Sequence, residues 1–423
     1  MSQTKPPSPI TLWRHPDFLK LWAAQSVSSV GSRITREGLP FAAVMSLGAT
    51  PAQVGLLAAV TRAPAILVGL IGGGFVDRRQ RRPILIAADL GRAVVLASIP
   101  LAAWGHRLSL GHIYAVAALV GALSVLFDIA DHAYLPSLVS QGQLVEGNAK
   151  LATTEAVAEI GGPAVYGLLF QLLTAPMAIA VNAGTYLFSA LALTTIRRRE
   201  PPTHLSDAGV RANPLDDFRA GLTAIRADPA ISRLLLIVTG MALFGAFFSA
   251  LYMIMALRIL HLTAGMLGLT VAVGGVSALF GAAIAGPVIR RFGMGPSLVV
   301  AGIFGSAANV FIPLAHGPLW LAVLMMMVPQ LVGDSLGTIA EIAGRSLRQS
   351  RIDGALMGRV GGVFALAPGV TGIAGALLGG WLGGAIGTRP TLLIACAGLA
   401  LTSASGLFSP LMRHSPEEGV PPS

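Results

Sequence analysis

The chain has 423 residues, of which 54% are hydrophobic and 11% charged, with a formal net charge of +10. Soluble proteins carry about twice that charged fraction, so composition excludes an ordinary soluble domain. The basic balance is no argument for nucleic acid, because the arginines sit in short loops between apolar blocks where membrane topology accounts for them; the single cysteine, Cys396, excludes an internal disulfide, and no Cys/His spacing suggests a metal site.

Twelve apolar blocks approach the ~20 residues that span a bilayer as a helix. They run roughly 18–46, 54–76, 83–104, 110–135, 148–173, 176–196, 231–257, 264–289, 296–315, 318–342, 359–384 and 388–411. The expected class is an all-α polytopic membrane protein. The first block outruns a signal-peptide core and shows no small-residue cleavage site.

A charge at the centre of a membrane helix costs roughly 2.5–3.5 kcal/mol on insertion scales, so each one asks for a reason. Span 1 holds Arg33, Arg36 and Glu37 near its middle, beside Ser26, Ser28, Ser29 and Ser32. Arg33 and Glu37 are four apart and share a helix face. The group reads either as a patch that contacts substrate, with Glu37 as a proton carrier, or as a self-neutralising structural pair. Span 2 holds Arg62, suited to an anionic substrate, and ends in GGGFVDRRQRRP (72–83), where Asp77 precedes Arg78, Arg79, Arg81 and Arg82. In span 3, Asp89 and Arg92 are placed to pair within their own helix or with the adjoining loops.

Span 4 ends with Asp128, Asp131 and His132; Asp128 lies one turn deeper than Asp131 and is a candidate for cavity or proton work. Span 5 carries Glu155 and Glu159 ahead of EIGGPAVYG, whose Gly162, Pro163 and Gly167 suit a kinked, closely packed helix. Span 10 holds Asp334 near its middle, and Glu341 four residues before Arg345, spaced as a gate or structural pair. Glu37, Asp128, Glu159 and Asp334 meet the sequence requirement for proton coupling, a carboxylate whose ionisation a change of surroundings can alter.

The arginines also set orientation. Loops after spans 2, 6, 8 and 10 carry Arg78, Arg79, Arg81 and Arg82; Arg197, Arg198 and Arg199; Arg290 and Arg291; and Arg345, Arg348 and Arg351, whereas the opposite loops hold only Arg107, Arg258 and Arg389. Positive loops stay cytoplasmic, so both termini are expected inside. The one long loop, 197–230, opens as a polar linker and then places Leu215, Phe218, Leu222 and Ile225 at helical spacing, which predicts an amphipathic helix on the inner membrane surface, or a plain tether.

An offset of 212 or 213 residues aligns IPLA at Ile99 with IPLA at Ile312, and LVGAL at Leu119 with LVGDS at Leu331. Collinear matches over most of both halves imply one six-helix unit used twice. The expected division is 1–196, a linker 197–230, and 231–423. Parallel repeats of this kind are related by a pseudo-twofold axis along the membrane normal.

Twelve spans, two parallel halves and an acidic-basic motif after span 2 resemble the major facilitator superfamily of transporters. The matching motif positions are Gly73, Asp77, Arg78, Arg81 and Arg82, with Gln80 where the family usually has Gly. The resemblance implies that Asp131 pairs with Arg81, and that Gly162, Pro163 and Gly167 form part of an antiporter motif. It also implies that span 1 lines a cavity, although the family often has an acid where this chain has Ser32.

HPDFLKLWAAQSVSSVGSRITREGLPFAAV, DRRQRRPILIAADLGRAVV and LMGRVGGVF are similar to the bacterial exporter branch that includes enterobactin exporters and macrolide efflux proteins. What the resemblance implies is proton-coupled efflux of a small amphipathic drug, macrolide or siderophore by rocker-switch alternating access in the bacterial cytoplasmic membrane. The alternative is uptake, or lipid or metabolite movement, by the same fold. The expected partners are a small-molecule substrate and membrane lipid, with no nucleic acid, and the expected state is a monomer.

No GxxxxGK[ST] loop, HExxH or Cys-rich motif appears, so neither ATP, an enzyme activity nor a metal is expected. The energy source is expected to be the proton gradient, with no cofactor.

Overall fold

The computed structural model describes residues 12–198, 200 and 214–412. Each of the twelve expected spans is helical. The first six are α1 (Pro16–Leu47), α2 (Pro51–Asp77), α3 (Arg81–Trp104), α4 (Leu110–Leu138), α5 (Leu144–Leu172) and α6 (Ala175–Thr194). A short helix α7 (Pro214–Ala227) leads into α8 (Pro229–Ile254), which a π turn extends over Met255–Ile259. Then come α9 (Ala264–Phe292), α10 (Met294–Ala308) and the single turn α11 (Phe311–Leu314). Span 10 is broken into α12 (Leu319–Val328), a π turn (Pro329–Gly333) and α13 (Asp334–Arg351); α14 (Gly354–Ala385) and α15 (Thr388–Ala404) follow.

Among the described residues, nine helical segments are long and apolar enough to cross a membrane. The other three spans are α1 and α5, which carry Arg33, Arg36, Glu37, Glu155 and Glu159, and α15, which has 17 residues.

Local chemistry fixes the helix ends. Asp228 accepts hydrogen bonds from the amides of Ala230 and Ile231 at 2.7 and 3.4 Å, with Pro229 as the first helical residue, a placement in which proline's missing N–H costs nothing. Ser109 and Thr263 cap α4 and α9 in the same way. Gly48, at φ +66°, ends α1 in the left-handed conformation that glycine adopts readily. The π turn in span 10 begins at Pro329, where the chain lacks an N–H for the regular ladder.

The chain forms two compact units, 1–39 with 67–208 and 40–66 with 209–423. The division passes through α1 at Pro40 and through α2 just beyond Pro64, both interior helix prolines. In the first unit α3 lies against α4 and α6, and a core of Phe18, Leu21, Leu85, Tyr134, Leu138 and Leu193 fills the end that carries the basic loops. In the second, Ile231, Leu234, Ile339, Ala343, Leu347 and Val363 form a corresponding core. There the start of α2 crosses α14 so closely that a Cβ at Gly55 would meet the backbone of Ala376 and Gly380.

The helix expected in the long loop is present as α7, and its apolar stripe is covered by protein in part, with Leu215 left exposed. Ile225 is buried, Phe218 packs against the second unit's core, and Asp217 binds Arg359 of α14 at 2.8 Å. Gly221 permits this contact, since a Cβ there would stand 2.5 Å from the Arg359 carbonyl oxygen.

A network ties the helix ends of the first unit together at its basic end. The Glu200 carboxylate accepts from the amides of Arg81 and Arg82 at 2.8 and 2.6 Å, occupying the N-terminus of α3, where the helix dipole favours an anion. The Arg82 guanidinium donates to the carbonyls of Leu193 and Thr194 at 3.0 and 2.6 Å, and Arg198 donates to the Leu138 carbonyl at 2.9 Å. Asp17 accepts from the amides of Arg197 and Arg198 and from Lys20, and Lys20 reaches the Thr195 carbonyl at 2.7 Å. Removing the α3 cap by Glu200→Ala is expected to cost about 1 kcal/mol, as lost caps do. A lowered midpoint of thermal unfolding checks it, and an unchanged midpoint would mean the cap contributes nothing.

Candidate functional site

The first unit gathers most of its mid-span charges between α1 and α5. Arg33 pairs with Glu159 across the two helices, and Arg36 reaches the other oxygen of the same carboxylate at 3.7 Å. The expected Arg33–Glu37 pair is not formed among the described residues. Arg33 lies against α5 instead, because Gly162 leaves room: a Cβ there would stand 2.7 and 2.8 Å from Cβ and Cγ of Arg33. Gly162 of the span-5 motif thus seats an arginine stem, and Gly162, Pro163 and Gly167 are all buried. The Glu159 side chain keeps 50% and that of Arg36 59% of its surface open, more than a charge facing only hydrocarbon tolerates.

Toward the basic end, the polar stripe of α1 continues through Ser32, Ser29, Ser28 and Gln25. These residues line a small cavity of about 50 Å³ with Asp128, Asp131, Thr154, Glu155 and Arg92. Asp131 accepts a hydrogen bond from the Gln25 amide. The expected Asp131–Arg81 pair is not formed among the described residues, and the buried Nε of Arg81 has no hydrogen-bond partner there. Gln25 went unrecognised in the sequence, although the spacing 25, 29, 32, 36 places it on the same face as the charges.

Arg92 is the most enclosed cation of the first unit. It pairs with Asp89 one turn away, both side chains essentially buried, and it is stacked between the rings of Phe127 and Tyr186 at 4.3 and 4.4 Å. Ser124 accepts from it at 3.4 Å. The Tyr186 hydroxyl in turn meets Ser32 at 3.2 Å, and Asn182 donates to Thr35 at 2.5 Å, so α6 supports the polar face of α1 from behind.

In the second unit, Arg62 donates to Ser249 at 3.0 Å. Asp334 follows the π turn and lies with Gln330 against Gly274, where a Cβ would collide with both side chains; Gln330 in turn donates to the Tyr252 hydroxyl at 3.4 Å. Ser277 and Ser335 bond to one another at 2.5 Å. Glu341 and Arg345 pair at 2.5 Å as their spacing predicts. Arg258 donates to the carbonyls of Val44 and Ala49 at 2.7 and 2.8 Å, closing the end of α1.

Of the motif after span 2, Asp77 ends α2, and Arg78 and Arg79 are exposed. The surroundings of Gly73 and the side chain of Asp77 lie outside what the structure describes. Among those same residues, no group of three or more His, Cys, Asp or Glu side chains is placed to hold a metal ion.

The buried pair gives a stability test. Arg92→Leu leaves Asp89 as an uncompensated buried carboxylate, and removing one partner of such a pair costs about 3–5 kcal/mol. The double variant Asp89→Leu/Arg92→Leu is expected to be more stable than the single one in denaturant unfolding. Additive losses would show that the two side chains act independently.

Residues 21–367 match the family model of the Major Facilitator Superfamily. The chain is 28% identical over 384 residues to the enterobactin exporter EntS of Citrobacter koseri, a match covering 86% of this chain and 85% of that one. It is 25% identical over 226 residues to the uncharacterized MFS-type transporter YfiS of Bacillus subtilis, covering 53% of this chain and 51% of the relative. Among solved structures, a bacterial homologue of the iron transporter ferroportin in its inward-facing state superimposes with a TM-score of 0.73 at 16% identity, covering 94% and 99% of the two chains. An inward-facing, occupied bacterial homologue of the human lysosomal transporter Spinster gives 0.73 at 13%, covering 98% and 100%. At such identities the structural likeness speaks for the fold alone. With its spans, its motif and the extent of these matches, the chain belongs to the Major Facilitator Superfamily, as a multi-pass membrane transporter.

Proposed function

We propose that this transporter is a proton-coupled exporter of small amphipathic compounds, of the drug, macrolide or siderophore class. It works in the bacterial cytoplasmic membrane as a monomer, with the basic end and both termini cytoplasmic. The observation that carries the reading is the single Glu159 carboxylate held by Arg33 and Arg36.

Two guanidiniums and one carboxylate make a set with competing partners. With Glu159 ionised, the arginines are engaged. The exposed part of the ionised carboxylate accepts from a hydrogen-bond donor of a substrate, and a proton taken by Glu159 removes that acceptor. Proton and substrate bound in this exchange belong to opposite strokes of alternating access, which is the logic of antiport. The proton gradient is the energy source and no cofactor takes part. The relative named as an enterobactin exporter supports efflux and, within it, the siderophore class.

Asp77 serves as a latch. It is the acidic residue of a basic loop whose arginines already account for orientation, and a carboxylate contributes little to that rule.

Everted vesicles supplied with an external fluorescent dye report direction and coupling together. Dye is expected to accumulate in the lumen while it is acidic, and to be released by a protonophore. Glu159→Gln is expected to lower the rate at least about tenfold, and Asp77→Asn to lower it while leaving the folded yield unchanged. Substrate that drives no proton flux would sink the coupling. Activity driven by ATP in proteoliposomes without a gradient would sink the reading of a secondary transporter.

A further inference from the structure

At the basic end of the second unit, α8, α10, α13 and α14 enclose a cavity of about 690 Å³, a volume typical of small-molecule sites. Its wall is apolar: Leu234, Ile237 and Met241 of α8, Leu298 of α10 and Phe364 of α14. Its rim is charged and comes from one face of α13, where Glu341, Arg345 and Arg348 succeed one another at helical spacing.

The rim charges do not cancel. Glu341 is paired with Arg345 at 2.5 Å. Arg348 lies over the Phe364 ring, 4.9 Å from its centroid, and its buried Nε finds no hydrogen-bond partner among the described residues. Two further arginines nearby are matched elsewhere, Arg351 by Asp228 at 3.5 Å and Arg359 by Asp217 at 2.8 Å. One positive charge is therefore left at the mouth of an apolar cavity.

From this geometry we infer that the cavity is a binding site for a monoanionic amphiphile, its head on Arg348 and its apolar body against α8 and Phe364. A carboxylate, sulfonate or phosphodiester head pairs with the Arg348 guanidinium and neutralises the rim. The body displaces water from five apolar side chains and stacks on an aromatic face already polarised by the cation. The site lies wholly within one unit and stands whether or not transport is proton-coupled.

The probe is 2-naphthalenesulfonate, a fluorescent monoanion, titrated against the purified full chain in nanodiscs of phosphatidylcholine. Saturable binding is expected, while 2-naphthol and naphthylmethylammonium bind at least about tenfold more weakly. Arg348→Gln is expected to weaken the sulfonate about tenfold, the scale of one charged hydrogen bond. Gly337 lines the cavity, and a Cβ built there meets no atom within 4 Å. A side chain at this position starts in open space, and Gly337→Leu is expected to obstruct the cavity and abolish binding at an unchanged unfolding midpoint.

Nanodiscs containing phosphatidylglycerol identify the natural source. Displacement of the probe assigns the site to a lipid phosphate, and undisturbed binding assigns it to a soluble amphiphile. No saturable binding, equal binding of the cation, or wild-type affinity in both variants would overturn the proposal.

Discussion

Hydrocarbon offers no hydrogen bonds, so the backbone groups left over at helix ends, and every charge placed between those ends, must find partners within the protein or in water. Much of this structure follows from that constraint. In the first unit the arginines of the basic end do more than hold the loop on one side of the membrane. Arg82 closes α6 and Arg198 closes α4, while Glu200 opens α3. In the second unit Arg258 does the same for the end of α1. One residue type thus sets topology and finishes the helices, because a guanidinium has enough donors to serve two carbonyls at once.

The same constraint separates two kinds of mid-span charge. Asp89 and Arg92 are enclosed and matched, with aromatic rings on both faces of the guanidinium, which suits a structural role in holding α3 to α4 and α6. Glu159 is matched twice over and still open, so its partners can be exchanged. Charge alone does not tell these cases apart. Burial and the number of partners do.

The spans were legible in the sequence because bilayer thickness imposes a length and apolarity is a sum over residues. α1, for instance, runs 16–47 against an expected 18–46. The amphipathic helix α7 was legible as a helix but its contact with Arg359 and Val363 of α14 was not, since an apolar stripe does not say what will cover it. The site was legible in part. The residues on α1 and α5 were identifiable by cost, yet Arg33 was matched to the carboxylate four residues away rather than to Glu159, 126 positions on. Spacing along one helix is written in the sequence, whereas the crossing that Gly162 permits is not. Glu200 was invisible for a similar reason, since it caps a helix that begins 119 residues earlier.

The π turn at Pro329–Gly333 has a consequence for everything after it. Such a turn inserts one extra residue into an otherwise regular helix, and one residue is about 100° of rotation. Glu341, Arg345 and Arg348 therefore owe their azimuth to a defect a dozen residues away. A single-residue deletion in that turn would leave α13 as long and as polar as before, while swinging its charged face away from the cavity. The turn acts as a phase setting for the helix, and the direction the charges of α13 face is tied to the register of Pro329.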